Sequence, residues 1–277
     1  MATKRGKNMQ NISNFMKWRR YEIFKWRDRE TKKNIDAKNR KKTARYKCFV
    51  CEREFYSYYP LELSYIALRS MYTKEKIQLS EEAKQYSCPY CGALNRVRMM
   101  FMYLERSRFA GIKHVLYMSA THAGLEYFRK NHPDIEVITN DLYVDEYDYH
   151  YDIENMYGFV DGQFDLIICS HILEHVNNDI RALEEMYRVT KRGGKIIIIV
   201  PLQLREGFDE DTKLSEEDNW KRFGDGTHVR AYSKTAMKER IESLGYSVEL
   251  IEKESFDNTE QQLNALRDCD VIYVINK

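Results

Sequence analysis

A carboxylate and several histidines are spaced in this chain as a reactive cluster. His171, Glu174 and His175 form the run H-x-x-E-H, and His228 follows later in Gly-Thr-His-Val-Arg. Imidazoles with one carboxylate favour Mn²⁺, Fe²⁺ or Zn²⁺ over Mg²⁺, whereas a histidine near neutral pKa can take a proton without a metal. The pattern therefore predicts either a divalent-metal site or a general base. Arg230 could pair with a phosphate or carboxylate of a substrate, or form a surface ion pair.

The elements around this cluster predict a parallel sheet. Residues 164–169 and 196–200 are short apolar runs, typical of buried strands. Between them, residues 180–189 carry apolar side chains at helical spacing, and residues 191–194, Lys-Arg-Gly-Gly, are typical of a helix stop. Strand, helix and strand make one βαβ unit. Because H-x-x-E-H would lie at a strand end and not on a long helix, the pattern excludes a peptidase of the inverted zinc motif.

Four of the six cysteines occur as two C-x-x-C knuckles, Cys48 with Cys51 and Cys88 with Cys91. Each knuckle presents two thiolates from one turn, so the two supply four ligands for tetrahedral Zn²⁺. Two disulfides are the alternative, but the first ten residues lack the apolar stretch of a secretory signal, and we expect a reducing compartment. The prediction is structural zinc, with no open position for catalysis.

Composition and charge predict a soluble, cytoplasmic protein with more than one part. The chain has 277 residues, a net charge of +2 and no run of eighteen apolar residues, which argues against a membrane span. Residues 1–47 hold 17 Lys and Arg against 4 Asp and Glu, a balance of +13. Such a segment could bind nucleic acid, a phosphorylated ligand or an anionic membrane, or could remain solvated. We predict a basic arm with helix-compatible spacing over residues 1–45, a zinc ribbon with a linking helix over 46–110, and an α/β domain over 111–277.

The pattern of the third part alternates strands and helices. Residues 114–118 and 135–139 predict the first two strands, with a helix over 124–131 between them. Residues 246–251 and 271–275 predict the last two strands. The final strand follows a short return loop, which indicates an antiparallel hairpin at the end of the sheet.

This order of motifs resembles the class I S-adenosylmethionine (SAM) dependent methyltransferases, in particular the type 11-like group. The resemblance rests on FDLIICSHILEHV with KRGGKIIIIVPL, on VLYMSATHAGLEYF at the first turn, and on CPYCGALNRVR before it. It implies a Rossmann-like seven-stranded sheet beside a small N-terminal zinc ribbon. Similar chains are associated with tailoring of bacterial glycans and small molecules, which implies methyl transfer to a hydroxyl of a sugar, nucleotide-linked sugar or other small polar acceptor.

The resemblance also implies where SAM would bind. Open parallel sheets bind ligands beyond the carboxyl ends of their strands. Carried over to this chain, Asp141 would bind the ribose, and Asp152 with Ile153 would flank the adenine. Ser170 and His171 would line the cofactor at the end of the fourth strand.

The first turn departs from the family's acid-x-G-x-G-x-G pattern. Tyr117 stands where the family has an acid, and Gly124 is the one glycine that remains. Ser119, Ala120 and Ala123 are small enough to let a ligand approach the backbone of the turn. Cofactor contacts are therefore predicted for Met118, Ser119, Ala120 and Gly124 and, after the second strand, for Leu142.

The histidine–carboxylate cluster is similar to a motif of two further groups. Small-RNA 2′-O-methyltransferases and ubiquinone-pathway O-methyltransferases carry E-x-x-E-H at this strand end, with a later histidine, and bind a divalent metal that holds substrate hydroxyls. The similarity implies a second metal here, although a metal-free histidine base fits equally. Two rival functions stay open: an RNA methyltransferase that grips the RNA backbone with its ribbon and basic arm, and a non-catalytic binding module that kept the fold but lost SAM.

Overall fold

The N-terminal part consists of a helix and a small ribbon. The structure, a computed structural model, describes residues 23, 25–63, 84–106, 109 and 111–277. Helix α1 covers residues 25–41, so the predicted basic arm is helical there, and its residues 1–22 lie outside the described residues. Strand β1 (Tyr46–Lys47) then pairs antiparallel with β2 (Glu54–Phe55).

A mixed six-stranded sheet forms the centre of the larger part. Its strands are β3 (His114–Met118), β4 (Glu136–Asn140), β5 (Phe164–Ser170), β6 (Thr190–Ile199), β9 (Val248–Ile251) and β10 (Ile272–Asn276). Two further strands, β7 (Phe208–Glu210) and β8 (Arg230–Tyr232), form a separate antiparallel pair. The order across the sheet is β4-β3-β5-β6-β10-β9. The strands β3 to β6 are parallel, and β10 is antiparallel to both of its neighbours. This confirms the α/β, Rossmann-like fold and the antiparallel final strand.

Helices connect the strands and begin at side-chain caps. They are α2 (Asn95–Arg106), α3 (His122–Asn131), α4 (Asp179–Val189), α5 (Glu216–Phe223), α6 (Lys234–Glu242) and α7 (Asn258–Asn264). Thr121, Asn178 and Ser233 accept from backbone N–H groups in the first turns of α3, α4 and α6. Such caps satisfy donors that the helix itself leaves unpaired, which fixes where each helix starts.

Helix α4 ends earlier than its sequence predicts. Its last residue is Val189, and Thr190 already has an extended backbone and begins β6. The Thr190 hydroxyl donates to Met186 O at 2.7 Å and closes the last turn. The predicted stop at Lys-Arg-Gly-Gly is therefore wrong. Gly193, with φ +80°, lies within β6 and not at the helix end.

The sheet has six strands among the described residues, not the seven that the resemblance implies. The third strand is replaced by turns over residues 141–163, where an isolated parallel bridge joins Asn140 to Tyr149. The segment 141–161 carries seven acidic residues and no lysine or arginine, which opposes regular pairing in a buried sheet. Strand β4 is consequently the edge of the sheet.

One hydrophobic core joins the ribbon to the sheet. Phe55 and Tyr58 of the ribbon belong to the same buried cluster as side chains of α2 and of the central strands. Arg98 of α2 is fully buried and donates to Asn264 O at 2.8 Å and to Ala93 O at 2.7 Å. Its guanidinium lies 4.1 Å from the centre of the Tyr58 ring. Helix α2 therefore packs the ribbon directly onto the sheet.

No helix among the described residues has both the length and the apolar character needed to cross a membrane.

Candidate functional site

A cavity of about 680 Å³ opens at the carboxyl ends of the parallel strands. Its volume lies in the range of small-molecule sites, which run from about 300 to 1,000 Å³. The turns after β3, β4 and β5 contribute to its wall. The structure brings eight of the residues predicted from sequence to this one cavity: Met118, Ser119, Asp141, Leu142, Asp152, Ile153, His171 and His175.

Two residues of the cavity wall have a left-handed backbone although neither is glycine. Ser119, after β3, has φ +45°, and His171, after β5, has φ +58°. A side chain with a Cβ pays roughly 1–2 kcal/mol for this conformation. Backbone strain of this kind concentrates at functional sites, where the surrounding structure holds it in place. Ser119 thus gives the first turn a left-handed backbone without the glycine that usually provides it.

Asp141 is fixed at the end of β4 by two hydrogen bonds. Ser119 Oγ donates to Asp141 Oδ2 at 2.6 Å, and the Tyr143 backbone N–H donates to Oδ1 at 2.9 Å. A carboxylate has about four acceptor sites, so the two oxygens can accept further bonds from ligand hydroxyls. The geometry joins the turn after β3 to the turn after β4 across the cavity wall.

The segment that replaces the third strand is pinned by Asn140. Its Nδ2 donates to Tyr151 O at 2.9 Å, and its Oδ1 accepts from Tyr151 N at 2.8 Å. Glu154 in turn accepts from the Asn177 backbone N–H at 2.6 Å. Sequence reasoning missed these lining residues, although the position of Asn140 directly before Asp141 was a usable signal. The missed set is Asn140, Tyr143, Tyr151, Glu154, Ile172, Val176, Asn177 and Thr227.

The predicted histidine–carboxylate cluster is assembled beside the cavity. Glu174 Oε1 lies 3.4 Å from His171 Nδ1, 3.8 Å from His175 Nε2 and 4.0 Å from His228 Nε2. The side chain of Glu174 is fully buried, and neither of its oxygens has a hydrogen-bond partner. Ligand atoms of Glu174, His175 and His228 all lie within 4.8 Å of one another. Since a buried carboxylate without partners is costly, the cluster favours an additional cationic group at this point.

Burial keeps the imidazoles of His171 and His175 neutral. Burial, followed by the positive charge of Arg96, lowers the pKa of His171 to about 2. Burial also lowers the pKa of His175. Burial raises the pKa of Glu174 to about 8. Neutral imidazoles can bind a metal, whereas a pKa of about 2 makes His171 a weak proton acceptor at neutral pH.

Three predicted cofactor contacts do not line the cavity: Ala120, Gly124 and Ser170. Gly124 packs instead against Tyr117, since a Cβ at position 124 would lie 2.6 Å from the Tyr117 ring. The backbone oxygen of Ala120 accepts from Tyr147 OH at 2.6 Å. Gly124 thus lets the Tyr117 ring approach the helix backbone, and its contact with the cofactor stays a prediction.

Arg230 is turned away from the cavity, contrary to its predicted role in binding a substrate anion. It is fully buried, and Nη1 donates to Leu173 O and Val176 O at 2.6 and 2.5 Å. Its Nη2 donates to Asn177 O at 2.9 Å and lies 2.7 Å from Glu210 Oε1. Because its donors are occupied by the turn after β5, Arg230 holds the backbone that presents the cluster.

Replacing Arg230 with methionine should therefore act on stability. Breaking a buried charge network typically costs about 3–5 kcal/mol, so Arg230→Met should lower the free energy of unfolding by an amount of this order. Urea denaturation followed by circular dichroism measures it. A variant of wild-type stability that lost only acceptor affinity would restore Arg230 to the substrate site.

The four knuckle cysteines meet as predicted. Cys48 Sγ lies 3.8 Å from Cys91 Sγ, and Cys51 Sγ lies 3.7 Å from Cys88 Sγ. All four are free thiols. A Zn–S bond of about 2.3 Å gives a tetrahedron whose edges measure about 3.8 Å, whereas a disulfide requires about 2.05 Å. The spacing fits the zinc prediction and not the disulfide alternative.

Part of the chain matches a known family model. Residues 100–198 match a family model described as a methyltransferase domain. Over 59 residues, 21% of the chain, the sequence is 48% identical to an uncharacterized protein of Methanocaldococcus jannaschii. The match spans only 23% of that protein's length.

Solved structures similar to this chain include methyltransferases from two organisms. A SAM-dependent methyltransferase from Archaeoglobus fulgidus is 19% identical, with a TM-score of 0.45 over 66% of this chain and 94% of that one. A SAM-dependent methyltransferase from Mesorhizobium loti is 16% identical, with a TM-score of 0.44 over 65% of this chain and 98% of that one. Residues 100–198 are thus similar to a methyltransferase domain, and the strand order of the sheet is that of a Rossmann-like fold.

Proposed function

We propose that this protein transfers a methyl group from SAM to a hydroxyl of a small polar acceptor, such as a sugar or a nucleotide-linked sugar. The observation that carries the proposal is one cavity lined by two chemically different groups of residues. Ser119 and Asp141, here called the cofactor side, and His171 and His175, here called the acceptor side, all line it. The first side offers acceptors for ribose hydroxyls, and the second offers groups that can act on an acceptor hydroxyl.

The cofactor side fits SAM through its donors and acceptors. Asp141 is preorganised by Ser119 and keeps acceptor capacity for a ribose diol. Asp152 and Ile153 line the same cavity. The side-chain amide of Asn140 holds the preceding residue, Tyr151, by a hydrogen bond to its backbone oxygen. SAM supplies an electrophilic methyl group on a sulfonium. The protein residues bind it, orient it and exclude water from it.

The acceptor side favours a divalent metal. Glu174 contributes a carboxylate with two unpartnered oxygens, and His175 and His228 contribute imidazoles within ligand distance of each other. This donor set suits Mn²⁺, Fe²⁺ or Zn²⁺. Such an ion would polarise an acceptor hydroxyl and lower its pKa. Because burial lowers the pKa of His171 to about 2, this imidazole, which lines the cavity, would accept a hydrogen bond from the acceptor hydroxyl, and the metal would supply the acidification.

The ribbon would hold a separate, structural zinc ion. Four thiolates close the coordination shell and leave no position for a substrate. Because the ribbon shares its core with α2 and the sheet, the ion would stabilise the packing of the ribbon against α2. Its role is thus to hold the N-terminal module in place.

Asp141→Asn tests the cofactor side. The amide keeps the size of the side chain, but its Nδ2 cannot accept from ribose hydroxyls, so affinity for SAM should fall about 10- to 100-fold. Calorimetric titration measures the loss. Asp145→Asn, in the same acidic segment but outside the cavity lining, is the control and should bind as the wild type does. Equal loss in both variants would point to overall charge and not to a ribose contact.

Titration with SAM and with its demethylated product, alongside metal analysis, tests the proposal as a whole. Binding in the micromolar range with one zinc per chain would support the methyltransferase. A second metal equivalent that is lost in Glu174→Gln would support the metal at the cluster. No binding of either ligand would favour the non-catalytic module.

An RNA acceptor is the second candidate, favoured by a further cavity of about 420 Å³ between the knuckles and α3. It is lined by Arg53, Arg129 and Lys130 together with the exposed ring of Tyr90. Basic groups beside an aromatic ring suit phosphate contacts and base stacking. Affinity for single-stranded RNA that falls steeply with added salt would support this candidate. Salt-insensitive binding of a small acceptor would support the first.

A further inference from the structure

The turn over residues 224–229 contributes to both the cavity and the histidine–carboxylate cluster, although it belongs to no helix or strand. Thr227 lines the cavity, and His228 Nε2 lies 4.0 Å from Glu174 Oε1. The rings of His228 and His175 pack edge to face, with centroids 4.6 Å apart. Because loops are more mobile than the elements they connect, neighbouring groups must hold His228 at this distance.

The end of the turn is tied to the cluster through the backbone. The Val229 N–H donates to the Glu174 backbone oxygen at 2.9 Å. Within the turn, Asp225 Oδ1 accepts from the Thr227 N–H at 2.9 Å and from the Thr227 hydroxyl at 2.8 Å. These bonds close the turn around Thr227 and fix its end beside Glu174, whereas the place of its start depends on other contacts.

The start of the turn is held by α5. Asn219 of this helix is buried, and its Nδ2 donates to Gly226 O at 3.2 Å. Gly226 packs so closely on the helix that a Cβ at this position would lie 2.7 Å from Glu216 Cγ and closer still to the Trp220 indole. The side chain of Asn219 thus binds the backbone two residues before His228.

Stability alone does not account for an asparagine at position 219. Its Oδ1 is buried without a hydrogen-bond partner among the described residues. An unsatisfied buried polar group costs about 1–3 kcal/mol, and asparagine is a weaker helix former than leucine or methionine. An apolar residue would therefore suit a buried helix position better, and the bond to Gly226 O is what the amide provides.

Other contacts fix α5 without the help of Asn219. Ser215 caps the first turn of the helix. Arg222 pairs with Asp209 at 2.6 Å and with Asp211 at 2.9 Å, which ties the helix to β7 and to the residue that follows it. Loss of the Asn219 amide should therefore release the turn and leave the helix in place.

We propose that Asn219 is a positioning residue, which holds the turn so that His228 stays at ligand distance from Glu174 and Thr227 stays in the cavity wall. The proposal rests on the proposed function and adds α5 to the parts of the chain that build the acceptor side. Asn219 acts through the Gly226 backbone and contacts neither the metal nor the acceptor. Partners that lie behind the ligands in this way typically change metal affinity by about 10- to 100-fold.

The test is titration of the full, zinc-loaded chain with Mn²⁺, followed through the electron paramagnetic resonance signal of free Mn²⁺. The wild type should bind Mn²⁺ at the cluster, and this binding is identified by its loss in Glu174→Gln. Asn219→Ala should weaken it at least about tenfold. Lys221→Ala, at an exposed position of the same helix, is the matched control and should bind Mn²⁺ as the wild type does.

Gly226→Ala gives a second test that keeps the Asn219 side chain. The added Cβ has no room against Glu216 and Trp220, so the turn must move away from α5. This variant should also lose Mn²⁺ affinity at least about tenfold. Wild-type Mn²⁺ affinity in either variant would overturn the proposal.

Titration of each variant with the demethylated product of SAM separates a positioning role from a general structural one. All variants should bind this product as the wild type does, because Ser119 and Asp141 lie on other turns of the cavity wall. Loss of both Mn²⁺ and product binding in Asn219→Ala would assign Asn219 to the stability of the domain and overturn the positioning role.

The same two ligands separate this proposal from the proposed function. If the product binds the wild type but Mn²⁺ does not, the metal and the positioning role are both wrong, and the SAM site stands. If Mn²⁺ binding depends on Asn219 but neither SAM nor its product binds, methyl transfer is wrong and the positioning role stands.

Discussion

Glu174→Gln should reduce methyl transfer by at least about 10²-fold and at the same time make the metal-free protein more stable. The carboxylate is fully buried without a hydrogen-bond partner, and burial raises its pKa to about 8. At neutral pH the folded carboxyl is therefore largely protonated, whereas an unfolded glutamate, which ionises near pH 4.3, is charged. Folding must take up a proton, which costs stability at pH values above the unfolded pKa. Removing the ionisable group should raise the free energy of unfolding by about 1 kcal/mol in protein whose cluster holds no metal and whose ribbon keeps its zinc.

Added metal should reverse the order of stability. In protein whose ribbon already holds its zinc, Mn²⁺ should raise the melting temperature of the wild type through binding to the native state. Mn²⁺ should leave Glu174→Gln unchanged, because that variant lacks the carboxylate ligand. Differential scanning calorimetry with and without metal measures both effects, and Glu184→Gln, an exposed position on α4, is the control. A variant with full activity, or one that metal stabilises as it does the wild type, would contradict the proposed cluster.

Removing zinc from the ribbon should destabilise the whole protein and not the ribbon alone. Structural zinc in small domains contributes about 10–16 kcal/mol of binding free energy, and typical domains are stable by only about 5–15 kcal/mol. Phe55 and Tyr58 of the ribbon share a core with α2 and the sheet. Cys88→Ser should therefore unfold at a temperature lower by more than 10 °C, roughly the shift that several kcal/mol cause.

Calorimetry distinguishes a shared core from two independent units. A shared core predicts a single transition that moves down as a whole in Cys88→Ser. Cys269→Ser, which changes an exposed cysteine outside the knuckles, should melt as the wild type does. Two separate transitions, with the upper one unchanged, would show that the ribbon folds apart from the sheet.

The parts of the fold that depend on local patterns were predictable from the sequence. The apolar run of residues 164–169 and the helical spacing of residues 180–189 agree closely with β5 and α4, since periodicity is a local property. The cysteine knuckles were predictable for the same reason, because two thiolates within one turn restrict each other. The helix end at Val189 was missed because the Thr190 hydroxyl closes the last turn in place of glycine.

The parts that depend on tertiary context could not be predicted. Arg230 reads as an exposed anion binder, but the turn after β5 surrounds it with carbonyls. Ser119 adopts a glycine-like backbone, and its hydroxyl donates to Asp141, which lies at the end of a different strand. In each case the role follows from neighbours that lie far away in sequence.

Calorimetric titration of the purified full-length chain with the demethylated product of SAM tests the central claim most directly. The account predicts saturable binding of one molecule per chain in the micromolar range, weakened by Asp141→Asn and unaffected by Glu174→Gln. A protein that is folded and zinc-loaded but binds neither this product nor SAM would contradict it. The fold would then serve a binding role without methyl transfer.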